Sequence, residues 1–138
     1  MYNPKYPQKY KGTYPIVYRS APELKMFEFL DLKPFIIEWS SESCIIPYIK
    51  PTDGKMHRYF PDFFCKFKNP DGSLTTYLLE YKPYKQTIEP VKSNKKSFNT
   101  VIRESVDRSV NKAKWQACKE FCKQKNWKFM IITEKDLG

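Results

Sequence analysis

Six apolar side chains, Ile102, Val106, Val110, Ala113, Ala117 and Phe121, recur at spacings of four, four, three, four and four. That period lays them along one stripe of a single long helix, with Lys112, Lys119 and Lys123 on its flanks. Such a stripe has to be covered by a second layer of structure. The rest of the chain offers short strand patterns to build that layer. Asn126 suits a left-handed stop to the helix, and residues 128–133 then read as a closing strand.

The pattern upstream agrees with such a layer. Ser20 can cap a helix, Pro22 suits its first turn, and Glu23 lies near its positive end. A helix over residues 21–30 is expected, burying Leu24, Phe27 and Phe29 or Leu30, with Pro34 barring extension. Residues 35–39 read as a strand, and residues 44–49 as a weaker one interrupted by Pro47. Thr52-Asp53-Gly54-Lys55 is a turn and Asn69-Pro70-Asp71-Gly72 a stronger one, because Pro presets one dihedral and Gly supplies a positive one. Strands over residues 58–68 and 74–82 flank the second turn as an antiparallel hairpin. Residues 83–97 read as an exposed basic loop, and residues 1–15, rich in Pro, Tyr and Lys, as an extended basic arm. The order of helix, strands, hairpin, helix and strand predicts an α/β fold, a mixed sheet flanked by helices.

At 138 residues there is room for one domain and one core. A net charge of +10 favours a polyanionic partner, nucleic acid or an acidic membrane surface. Aromatic residues make up 17% of the chain, and Tyr and Phe interleaved with Lys and Arg can stack bases while contacting phosphates; the same rings can equally form the core. No apolar run approaches the roughly 20 residues needed to cross a bilayer, and the N-terminus lacks the apolar segment of a secretory signal. A soluble, cytosolic protein is expected. Cys44, Cys65, Cys118 and Cys122 include no CxxC pair, so reduced, buried thiols are expected rather than structural zinc.

One constellation carries chemistry. Pro61-Asp62 lies on the first hairpin strand and Glu80-Tyr81-Lys82 ends the second. Side chains alternate along a strand, so Glu80 and Lys82 share a face and Tyr81 takes the other. The hairpin can bring Asp62 beside them. Two adjacent carboxylates attract a hard divalent cation, and Mg²⁺, with Mn²⁺ as a substitute, is the expected ion. The Tyr81 backbone carbonyl is a further candidate ligand, and Glu23 a candidate outer or second-metal acid. Lys82 can position water or steady the charge of a pentacovalent phosphorane-like transition state. Candidate DNA contacts are Arg19, His57, Arg58, Lys85, Lys92, Lys95, Lys96 and Lys112. For each of these the alternative is an ordinary solvated or ion-paired surface charge.

These residues resemble the head completion nucleases of T4-like tailed phages, small members of the PD-(D/E)XK nuclease superfamily. The resemblance covers nearly the whole chain. It rests on Asn3-Pro4, Pro7-Gln8-Lys9-Tyr10, Tyr18-Arg19-Ser20 with Glu23, and above all His57-Arg58-Tyr59-Phe60-Pro61-Asp62-Phe63. It continues through Glu80-Tyr81-Lys82-Pro83, Ala113-Lys114-Trp115 and Ile131-Ile132-Thr133-Glu134. It implies a restriction-endonuclease-like core over residues 16–138, metal acids at Asp62 and Glu80, a catalytic lysine at Lys82 and a helix acid at Glu23. It also implies a role in trimming or sealing packaged double-stranded DNA, with portal or capsid proteins as partners, in the host cytoplasm or the virion head. The chain departs from the family pattern at Tyr81, where an aliphatic residue is more usual. TnsA-like transposase nucleases look like more distant relatives.

Two other readings share the residues: a head protein of nuclease shape that plugs the portal or binds DNA ends without cutting, and a nuclease that attacks host DNA. The sequence also leaves a homodimer open, which would place two centres on one duplex.

Overall fold

The computed structural model describes residues 1–88 and 96–137. Helix α1 (Ala21–Leu32) begins where Ser20 Oγ accepts the Glu23 N–H at 3.3 Å and stops two residues before Pro34. Its buried side is Met26, Phe27, Leu30 and Asp31. Leu24 and Phe29 are only half-buried, because residues 1–10 cover the helix on its Asp31 side.

The main sheet has four strands in the order β1 (Ile36–Ser41), β4 (Phe63–Lys68), β5 (Leu74–Tyr81), β6 (Lys128–Ile132). The first two pairings are antiparallel and β5 with β6 is parallel, so the sheet is mixed as expected. The β4–β5 hairpin turns at Gly72, whose φ of 89° is open to glycine and whose N–H donates to Asn69 O at 2.9 Å. Parallel pairing of β5 with β6 needs a long crossover, and helix α2 (Phe98–Lys125) lies within it.

Alternation along the strands splits the interior in two. Leu79, Phe63, Cys65 and Trp39 face α1 in one cluster; Leu78 joins Ile46, Tyr48, Tyr59, Cys118 and Cys122 in the other, under α2. The sheet is therefore covered on both faces, and three of the four thiols, those of Cys65, Cys118 and Cys122, are buried and unpaired.

Three expectations need correction. The first hairpin strand is not continuous over residues 58–68. It breaks at Phe60-Pro61-Asp62: β3 (Met56–Tyr59) pairs with β2 (Ile46–Ile49) in a separate two-stranded sheet, and β4 starts at Phe63. Pro61 has no N–H to give a ladder and is fully buried at the break.

The first fifteen residues are not an extended arm. Tyr10 is buried, its ring 4.7 Å from that of Trp39, and Tyr2 packs its ring 5.7 Å from Phe27. Asp31, wholly buried, accepts from Tyr2 Oη at 2.6 Å, Lys5 N at 2.6 Å and Tyr6 N at 3.0 Å. Lys9 Nζ donates to the carbonyls of Asp31 and Lys33, closing the C-terminal end of α1.

The stripe of α2 is only partly covered. Val110, Ala113, Ala117 and Phe121 pack on the core, but Ile102 and Val106 are exposed, as are Phe98 and Val101. The cause is length: a 28-residue helix is ~42 Å long, while the eight-residue β5 spans ~27 Å. Asn126 ends the helix with φ 59° and its N–H on the Cys122 and Lys123 carbonyls, the left-handed stop the sequence suggested.

Candidate active site

The break before β4 and the end of β5 lie side by side, and this junction holds the acidic centre. Asp62 is anchored at both ends of the residue. Its backbone carbonyl accepts the Glu42 N–H at 2.9 Å, and its Oδ2 accepts the Tyr81 N–H at 2.8 Å. Glu80, buried on β5, has Oε2 held by the hydroxyl of Tyr59. Asp62 Oδ1 and Glu80 Oε1 have no hydrogen-bond donor among the described residues.

The electrostatics follow from burial. Burial and the neighbouring Asp62 charge push the Glu80 carboxyl up to about 7, against the opposing pull of the Tyr59 hydroxyl, Lys82 and Lys114. Burial also raises Asp62; the Tyr81 N–H and Lys82 pull it down, while Glu42 and Glu23 push it up. Tyr59 is driven well above the usual phenol range by burial and by the Glu80 charge, so it stays a donor. The centre is thus two desolvated carboxylates short of positive charge, with Lys82 beside them.

Asp62, Glu80 and Lys82 come together here. Lys82 follows β5 directly, its N–H on Ile132 O at 3.0 Å, which extends the parallel pairing by one residue. Glu23 is near enough for its charge to act on Asp62, and its own Oε1 lies 3.4 Å from the Ser20 hydroxyl in the first turn of α1. Tyr81 packs at the edge of the α1-side cluster rather than inside it, and burial and the nearby Glu134 raise its phenol above the ordinary value.

The candidate DNA contacts divide. Lys85, Lys96 and Lys112 line one groove with Lys82, although Lys96 is ion-paired to Glu104 at 2.9 Å. Arg19 pairs with Glu42 at 3.9 Å. His57 Nε2 lies 2.7 Å from Asp53 Oδ2 in the β2–β3 hairpin, and Arg58 is exposed on β3 opposite Pro47. Lys92 and Lys95 lie outside the described residues.

Three residues of the centre escaped sequence reasoning. Tyr59 grips Glu80, and its place in the HRYFPDF stretch was the one available signal. Lys114 sits 5.7 Å from the Tyr59 ring centre and its charge reaches Glu80. Glu42, with φ 51°, carries the N–H that holds the Asp62 carbonyl. Nothing in Ser41-Glu42-Ser43 announces that position.

A family model for the N-terminal domain of TnsA-like endonucleases matches residues 33–134, a span that contains β1 to β6, both members of the Asp62/Glu80 pair, and Lys82. The chain belongs to the TnsA-like endonuclease family. The head completion nuclease of Enterobacteria phage T4 is 40% identical to it over 141 residues, covering 97% of this chain and 89% of that protein. No solved structure matches. Within the family match, Glu80 falls on β5, Lys82 directly after it and Asp62 on the break before β4; Glu23 lies upstream of the matched span, in the region that the phage relative also covers. No helix among the described residues is long and apolar enough to cross a membrane.

Proposed function

We propose that this TnsA-like endonuclease is a Mg²⁺-dependent DNA nuclease of the PD-(D/E)XK type that trims packaged DNA during phage head completion. The observation that carries the reading is the pair of buried carboxylates, Asp62 and Glu80, held rigid by Tyr81 N–H and Tyr59 Oη with Lys82 alongside. The head completion role comes from the name of the phage T4 relative.

The donor set suits Mg²⁺. Among the described residues no group of three or more His, Cys, Asp or Glu makes a preassembled cage. Mg²⁺ does not require one, since it binds through one or two carboxylates plus water and substrate phosphate. Two hard oxygens, Asp62 Oδ1 and Glu80 Oε1, remain for it, with the Tyr81 carbonyl as a third candidate. When bound, the ion supplies Lewis-acid charge to the phosphoryl group and an acidified water.

The chain's own residues do the rest. Tyr59 and the Tyr81 N–H each occupy one carboxylate oxygen, so the other is presented in a single orientation. Lys82 places an ammonium where charge develops on the phosphorus oxygens as water attacks. Glu23 adds negative charge on the Asp62 side, which favours cation binding there. Lys85 and Lys112 take backbone phosphates beside the centre.

Purified protein is tested on supercoiled and linear double-stranded DNA with Mg²⁺, with EDTA, and as folded Asp62→Ala and Lys82→Ala variants. Cleavage by wild type with Mg²⁺ alone, and none by either variant, is expected. Folded wild type that binds DNA and cuts no form with Mg²⁺ or Mn²⁺ overturns the reading in favour of a DNA-end-binding head protein. Retention with portal or capsid in infected-cell fractions is expected if the substrate is packaged DNA; free soluble protein points to host DNA.

A further inference from the structure

A groove of about 990 Å³ runs along α2 from the catalytic end of β5. Lys82 and Lys114 stand at its inner end, and Lys50, Lys85 and Lys112 add positive charge along its walls. Glu104 is spent on Lys96, which leaves Asp107 as the other acid of the lining. The groove is therefore strongly cationic, and two of its lysines, Lys82 and Lys114, are those whose charges act on Glu80.

Its walls are not only charged. Trp115 packs partly against the α2-side core and also lines the groove, whose lining includes the apolar side chains of Val110, Val106 and Ile88. A duplex offers a protein phosphates, sugars and base edges, because its base faces are stacked inside. An aromatic ring and an aliphatic strip inside a cationic cleft match something else: unpaired bases, which expose apolar faces while their phosphates face the lysines. The volume is that of a ligand-sized cleft, at the upper end of the roughly 300–1,000 Å³ such sites occupy. A volume of that order accommodates a few nucleotides. Residues 104 to 115 of α2 cover ~16 Å along the axis, enough for a short stretch of one strand leading away from the centre.

We propose that this groove takes the single-stranded tail of a DNA end, with Trp115 stacking on its bases and Lys112 and Lys114 on its phosphates. The inference rests on the nuclease reading for the identity of the polyanion. It makes the preferred substrate a tailed or frayed end rather than a blunt duplex.

Binding of labelled DNA to the full-length protein is read by fluorescence anisotropy in EDTA, where no cutting occurs, using 3′-tailed, 5′-tailed and blunt duplexes of equal length. Wild type is expected to bind one tailed form at least tenfold tighter than the blunt one. Trp115→Leu is expected to lose about tenfold on the tail and less than twofold on the blunt end, and Trp115→Phe to restore most of the loss. Trp115 also contributes to the core, so Val106→Asp, at an exposed groove position, supplies a second variant with the same expected pattern. Equal affinity of wild type for tailed and blunt ends overturns the proposal, as does tail binding unchanged in both folded variants. A protein that prefers tails but never cuts upholds the groove and sinks the nuclease reading; one that cuts but ignores tails does the reverse.

Discussion

Glu80 is where burial, a second carboxylate and a phenol hydroxyl meet, and each leaves a measurable mark. Its folded carboxyl titrates near 7, above its ordinary value, so the metal-free folded state holds that proton more tightly than the unfolded chain does. The resulting stabilisation is complete below pH 4.5 and is lost as pH rises through 7. It amounts to ~3 kcal/mol at most. Metal-free wild type is therefore expected to melt lower at pH 8 than at pH 6, whereas Glu80→Gln should melt at similar temperatures at both; parallel pH profiles for the two proteins would refute the assignment. Adding Mg²⁺ at pH 8 is expected to recover the loss in wild type and not in the variant.

Tyr59 acts through Glu80. Tyr59→Phe keeps the ring and removes the donor, so the carboxylate is free to rotate. Partners of metal ligands are worth roughly 10–100-fold in metal affinity. The variant should bind Mn²⁺ at least tenfold more weakly, by titration of the free-ion paramagnetic signal, and approach wild-type cleavage at saturating metal. Unchanged Mn²⁺ affinity in a folded variant would remove Tyr59 from the site.

At the scale of the element, the first turn of α1 couples a cap to Glu23, the acid proposed to act beside Asp62. Ser20 takes the Glu23 N–H and lies against the Glu23 carboxylate. Ser20→Ala is expected to cost ~1 kcal/mol, or ~4 °C in melting temperature. It should also loosen Glu23, seen as a weaker Mn²⁺ site than a Ser20→Asp control, which keeps the cap. Both helix ends were legible because capping is local: Ser20, Pro22 and Pro34 for α1, Asn126 for α2. The middle of α2 was legible as a period, but how much of it would be covered was not, since that depends on the size of the sheet beneath.

Across the whole molecule, the N-terminal segment and the core are joined through Asp31. Its buried carboxylate takes three donors from residues 2, 5 and 6, which lie far from it in sequence. Asp31→Ala strands those donors and is expected to cost ~3 kcal/mol, lowering the urea midpoint and opening residues 1–15 to protease. A variant as stable and as protease-resistant as wild type would show the segment to be held by Tyr2 and Tyr10 packing alone.

What the sequence determined by itself is whatever rests on near neighbours. The Asn69–Gly72 turn follows from Pro and Gly dihedrals, the helix ends from their caps, and the shared face of Glu80 and Lys82 from strand alternation. Proline and acid at 61–62 with ExK at 80–82 marked the candidate centre. Tertiary structure decided the rest, because those outcomes depend on partners remote in the chain. The break at Pro61 became a change of sheet only once β3 had β2 to pair with. The first ten residues packed only once Asp31 and Trp39 were in place to receive Tyr2 and Tyr10. Glu42, Tyr59 and Lys114 reached Asp62 and Glu80 from three separate stretches of the chain, and no local period or spacing records a meeting of that kind.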